Sequence, residues 1–274
     1  MDTPPSSFDE LPEETRQTIE GQTGRITGYY SDRRAAGCVL GAFLDTVRGA
    51  VFVKATPTDS VKASSLVQEA AVTMHLPPVC PRLLWRVESG GWLVLGFEVI
   101  DGYCADFTNS GDLVYVLDAL QELSSMDVPE EDESFWHLAQ IEWAEQRWAR
   151  FADEGTAHLF AGKTLLHTDI GPRSVLIDKR AYVVNWSRPC RGAAFIEPFG
   201  MAVRMVEAGH AANEALSWVR RVPSWREATP EARRAFATVT VRMWRERADQ
   251  EPKAFAMAAC AADVKAHLLK NDWT

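Results

Sequence analysis

Apolar positions come in short runs through the first hundred residues and at helical spacing through most of the remaining chain, which predicts a small strand-rich part and a larger helical part. Residues 38–44 and 50–55 read as antiparallel strands about a turn at 45–49, and residues 82–86 and 91–100 as a second pair about a turn at 88–90. Lys54 ends the second strand. A helical segment over 60–76 separates the two pairs, carries Glu69 and stops at Pro77 and Pro78. The first residues are polar, acidic and Pro-rich, which predicts a loose arm or a short helix around 11–19.

Beyond residue 102 the period is 3.6. Leu113, Val116, Leu117, Leu120 and Leu123 share one helical face, and Leu138, Ile141, Ala144, Trp148 and Phe151 share another. Further helices are predicted over 199–208, closed by Gly209, and over 213–222, before Pro223. Thr229 and Pro230 form a cap and first-turn pair for a helix burying Ala232, Phe236, Val239 and Met243, and a last helix over 253–270 buries Phe255, Ala258, Ala262 and Leu269. The ten tryptophans are read mainly as core. One stretch breaks the helical period: 164–189 reads as two short strands, 174–177 and 181–184, about a turn at 178–180, with polar loops on either side. A loop carrying His167 and Asp169 against a rigid hairpin is a place for chemistry.

Composition narrows the class. The chain has 274 residues, 46% of them hydrophobic and 24% charged, enough for one large domain or two lobes. No run reaches the ~18 apolar residues of a membrane span; the longest, 92–100, is broken by Gly96 and Glu98. A net charge of -9 would repel both a phosphate backbone and an anionic lipid surface, so neither nucleic acid nor membrane is an expected partner. Five scattered cysteines without a C-x-x-C pair, and a beginning without signal-peptide character, fit a cytoplasmic protein. The six histidines are too dispersed for zinc, and there is no P-loop, Gly-x-Gly-x-x-Gly, Gly-x-Ser-x-Gly or His-Glu-x-x-His.

The His167-Thr168-Asp169 loop, the hairpin after it and Asn185-Trp186 beyond resemble the catalytic and metal loops of the aminoglycoside phosphotransferase family. That family's pattern is His-x-Asp-x-x-x-x-Asn, a hairpin, then Asp before Trp or Phe. The resemblance extends over roughly 26–269 in element order. It implies an α+β, protein kinase-like two-lobe fold: an arm over 1–24, a small antiparallel-sheet N-lobe over 25–101, and a mainly helical C-lobe over 102–274 holding the catalytic-loop hairpin.

The resemblance also implies roles. Lys54 and Glu69 look like the strand Lys and helix Glu that pair in this fold and meet nucleotide phosphates. Phe97, Glu98, Val99 and Ile100 stand at the hinge, where backbone groups meet the base. Asp169 stands at the catalytic base and His167 at the chiefly structural histidine of the loop. Gly37 and Ser31 are the flexible members of the phosphate-covering turn, with Arg33 and Arg34 either clamps or exposed. Both magnesium positions depart from the pattern: Ser174 replaces Asn, and Asn185 replaces Asp.

ATP and magnesium are therefore the implied cofactors, with the magnesium site weakened. Two functions stay open. One is a pseudokinase-like binding or accessory protein with impaired magnesium-dependent phosphoryl transfer. The other is an active ATP-dependent phosphotransferase acting on a hydroxyl of a small molecule or of a peptide Ser or Thr, with Asp169 as base. Ligand classes left open are a small molecule, a peptide and a partner protein. The acidic run at 127–133 reads either as a lure for a cationic substrate or as a solvated connection capped by Ser134.

Overall fold

The computed structural model describes residues 7–32, 37–125, 140–251 and 254–270. The acidic run at 127–133, Ser134, Leu138, Arg33 and Arg34 lie outside them. The chain divides into two compact units, one of Met1–Gly102 with Ser134–Gln140 and Tyr182–Arg188, the other of Tyr103–Glu133, Ile141–Ala181 and Pro189–Thr274.

The first unit is built on an antiparallel sheet of β1 (Ile26–Ser31), β2 (Leu40–Thr46), β3 (Gly49–Pro57), β4 (Leu83–Ser89) and β5 (Trp92–Glu98), in the order β1-β2-β3-β5-β4. The central strands are nearly continuous apolar runs because both faces are covered. On one face Val53, Ala55 and Val94 pack with Phe8, Leu11 and Ile19 from the N-terminal segment. On the other, Leu93, Leu95 and Phe97 pack against Leu66 and Ala70 of the helix Ala63–Thr73. Residues 8–23 therefore contribute to the core: the helix Glu13–Thr23 buries Ile19 completely, and Thr15 donates to the Ser89 carbonyl at 2.9 Å. Gly96 is required where it stands, since a Cβ there would lie 2.2 Å from the ring of Trp85, its cross-strand partner.

The second unit is mainly helical. Asn109 caps the helix Ser110–Ser124 by accepting the Gly111 N–H at 2.8 Å, and Thr229 caps Pro230–Ala248 by accepting that of Ala232 at 3.1 Å. Phe236 is the hub of the core, meeting Trp148, Phe160 and Phe199 edge-on at centroid separations of 4.9, 5.3 and 5.4 Å. The hairpin strands are Val175–Asp178 and Arg180–Val183, with Lys179 in the left-handed region at φ 55°.

Two periodicity readings are corrected. Residues 141–151 do not form one helix: Glu142–Trp143 is a strand parallel to Cys190–Gly192, followed by the short helix Ala144–Arg147 and a 3-10 turn at Ala149–Phe151. A distant strand edge satisfies that backbone, which local spacing cannot register. In the last helix, Ala254–Lys270, the buried side is Met257, Ala258, Ala261, Val264 and Leu268, while Phe255 is 72% exposed. Alanine repeats every few positions there, so the apolar stripe has no unique register.

Candidate functional site

Within the first unit, three of the sequence-derived residues meet. Lys54 on β3 donates to both carboxylate oxygens of Glu69, at 2.7 and 2.8 Å, across fifteen positions of sequence. Both side chains are buried, the lysine 2% exposed and the glutamate 3%. Glu69 also accepts the backbone N–H of Trp186 at 3.1 Å, which ties in the segment carrying Asn185. A buried pair of opposite charges needs this saturation, because either group alone would face a desolvation cost of several kcal/mol. Asn185 lies in the left-handed region at φ 68°, a conformation that asparagine tolerates better than most residues. Gly37, at φ 76°, packs so closely against Ser187 that a Cβ would sit 2.4 Å from the serine Cβ. That position requires glycine both for its left-handed backbone and for its small size.

The hinge residues are partly spent inside the sheet. Phe97 pairs with Phe52 on one side and Leu83 on the other, and the Glu98 N–H donates to the Arg82 carbonyl at 3.1 Å. The Glu98 carboxylate takes the Arg82 guanidinium at 2.8 Å. Val99 and Ile100 lie just past the strand, half-buried.

The second unit holds His167, Asp169 and Ser174 on one loop. Thr168 between the first two has φ 68°, strained for a β-branched residue. Its conformation is held from below: Glu197, on the helix Ile196–Glu207, accepts the Thr168 N–H at 2.7 Å. Burial pushes the Glu197 carboxyl up to about 7, against the backbone N–H groups of Thr168 and His167 that favour its charge. Arg147 adds a second clasp, donating to the Pro189 carbonyl at 2.7 Å and to Glu142 at 2.6 Å, with the Thr168 hydroxyl at 3.4 Å. His167 is buried, and its Nδ1 accepts the Asp169 N–H at 3.2 Å, which gives the ring a holding task.

The Asp169 side chain is 70% exposed, and its Oδ1 takes the Arg204 guanidinium at 2.7 Å. Arg204 is fixed in turn by Glu207 at 2.9 Å. Burial works against the Arg204 charge, but Asp169 and Glu207 outweigh it and hold the guanidinium above its ordinary range. Beside this pair opens a cavity of about 60 Å³, lined by Trp148, Phe199, Phe236, Met243, Trp244 and Met257. No sequence motif marks Arg204, Glu197 or Arg147; Arg204 and Asp169 lie thirty-five positions apart, without any local pattern linking them.

At the magnesium positions the chain offers a hydroxyl and a neutral amide, Ser174 and Asn185, where the family pattern has an amide and a carboxylate. The Ser174 hydroxyl donates to the Asp169 carbonyl at 2.7 Å and accepts the Gly171 N–H at 2.9 Å, so its bonds close its own loop. Asn185 offers only a neutral amide, and among the described residues no three His, Cys, Asp or Glu side chains gather as metal ligands.

No protein-family model and no characterised protein sequence matches the chain. Solved structures do. A thermostable mutant of aminoglycoside phosphotransferase APH(4)-Ia, in a ternary complex with ADP and hygromycin B, superposes with a TM-score of 0.60 at 12% identity over 94% of this chain and 99% of that one. An aminoglycoside phosphotransferase from Alicyclobacillus acidocaldarius gives 0.58 at 13% identity, over 95% and 97% of the two chains. The ethanolamine kinase of Plasmodium vivax gives 0.58 at 7% identity, over 87% and 81%. With its antiparallel five-stranded sheet and helical second unit, the chain has the protein kinase-like α+β fold of the aminoglycoside phosphotransferases and of ethanolamine kinase.

Proposed function

We propose that this protein is a pseudokinase-like binding protein, a phosphotransferase fold in which magnesium-dependent phosphoryl transfer is suppressed. One observation carries the reading. Ser174 spends its hydroxyl on its own loop, and Arg204 takes one oxygen of the neighbouring Asp169 carboxylate. Phosphoryl transfer depends on positioning and on neutralising phosphate charge, with the metal supplying much of the second. Replacing one ligand by a neutral amide and shortening the other, at a cost of roughly 4 to 6 kcal/mol, would lower the rate by about three to four and a half powers of ten. ATP remains a candidate ligand, because the Lys54–Glu69 pair is intact and because structures of this fold hold ADP.

The alternative, an active phosphotransferase, is favoured by a single feature: Asp169 is retained and exposed. The ligand class in either case is a small molecule, in keeping with the hygromycin B in the structural neighbour, and the apolar lining beside Asp169 suits a ligand with an apolar body. The deciding experiment restores the family residues with Ser174→Asn and Asn185→Asp together. Magnesium-dependent ATP turnover should rise from background in the double variant. Native protein that already turns over ATP onto an acceptor at ~1 to 100 per second would overturn the proposal.

A further inference from the structure

The fifteen residues from Arg220 to Arg234 contain five arginines, and the most buried of them lacks an acceptor. Arg233 is 3% exposed. Its Nε is unanswered, and among the described residues the side chain makes neither a hydrogen bond nor an ion pair. Its guanidinium carbon stands 5.4 Å from the centre of the Trp225 ring. Trp225 is fully buried, and its indole N–H also lacks an acceptor. Two unanswered buried donors, one of them charged, thus stand side by side. Folded proteins satisfy nearly all such groups, so this pair calls for an acceptor.

The surroundings state the charge that acceptor should carry. Burial holds the Arg233 guanidinium below its ordinary range, and the positive charges of Arg220 and Arg234 press it further. Arg226 donates to the carbonyls of Arg220 and Arg221, at 3.0 and 2.9 Å, and so fixes the turn that presents them. Arg233 also sits in the first turn of the helix Pro230–Ala248, where the backbone dipole adds positive potential. Glu227 and Glu231 are exposed and make no ion pair with Arg233. The guanidinium carbon stands over the indole ring, 5.4 Å from its centre, so an oxyanion held by one group lies in the neighbourhood of the other, and charge-assisted bonds to it run to roughly 2.8 Å.

We propose that Arg233 and the Trp225 indole N–H, with Arg220 and Arg234 at the rim, form a binding site for a compact oxyanion, the phosphate or carboxylate group of a ligand. This site does not draw on Lys54, Asp169 or the magnesium positions, and it stands whether or not the protein binds nucleotide.

Thermal unfolding of the full chain in increasing sodium phosphate, against sodium chloride of equal ionic strength, tests it. Phosphate should raise the midpoint saturably beyond chloride. Sodium acetate in a parallel arm separates the sources: a saturable rise there assigns the site to carboxylates as well, and its absence assigns it to phosphoryl groups. Arg233→Met should unfold at a higher temperature than the native chain in chloride and lose the phosphate response. Trp225→Phe keeps the ring, removes the N–H and should weaken the phosphate midpoint roughly tenfold. Arg233→Lys, which retains the charge, serves if the Met variant does not fold and should show a weakened response. Responses equal to that of chloride in the native chain, or undiminished in the Arg233 variant that folds, would overturn the site.

Discussion

The backbone N–H of Trp186 donates to the carboxylate of Glu69 at 3.1 Å, joining positions 117 apart in sequence. Because Lys54 occupies both oxygens of the same carboxylate, the lysine, the helix residue and the Asn185-Trp186 segment form one buried network. Its members stand or fall together.

That coupling gives the first prediction. Lys54→Met leaves a buried carboxylate without its cation and should destabilise the protein by about 3 to 5 kcal/mol. Adding Glu69→Leu removes the orphaned charge and should recover most of the loss, apart from the bond to Trp186. Urea unfolding of the two variants measures both values; a single variant as stable as the native chain would remove the network from the account.

Glu197 sets a pH dependence. Burial raises its carboxyl from 4.5 to about 7, so the folded chain binds a proton more readily than the unfolded chain. The resulting stabilisation is fully present below pH 4.5 and is lost as pH rises through 7. Its size is roughly 3 kcal/mol, and Glu197→Gln should flatten that part of the stability profile. Unfolding midpoints of both proteins from pH 4 to 8 make the comparison, and parallel profiles would contradict it.

Asp169 behaves differently because it is exposed. The Asp169–Arg204 pair should contribute under ~1 kcal/mol, so Asp169→Asn should melt close to the native chain. Glu197→Ala, which strips the acceptor from the strained Thr168 backbone, should cost more. Calorimetric melting of the two variants ranks them, and the reverse order would refute this division of labour.

Residue chemistry with a local signature was legible in the sequence. The β-branched and aromatic runs marked the sheet and Thr229-Pro230 marked a helix start, while the strand Lys and helix Glu that bond each other were singled out only through the family resemblance. What escaped was non-local. The N-terminal segment looked polar because few of its side chains are apolar, yet Phe8, Leu11 and Ile19 are spaced to meet a distant sheet. The Glu142–Trp143 strand exists only because Cys190–Gly192 offers an edge. The sequence singled out Asp169 through its resemblance to a motif, whereas Arg204, which bonds Asp169, and Glu197, which bonds the Thr168 backbone, come from a helix whose own pattern reports only amphipathicity.

Calorimetric titration of the purified protein with ATP, with and without magnesium and repeated on Lys54→Met, tests the central claim most directly. A protein without a working magnesium site should bind ATP with an affinity that magnesium does not change, or not bind it at all. Tight binding that requires magnesium and disappears in the Lys54 variant would contradict the account and restore the catalytic reading.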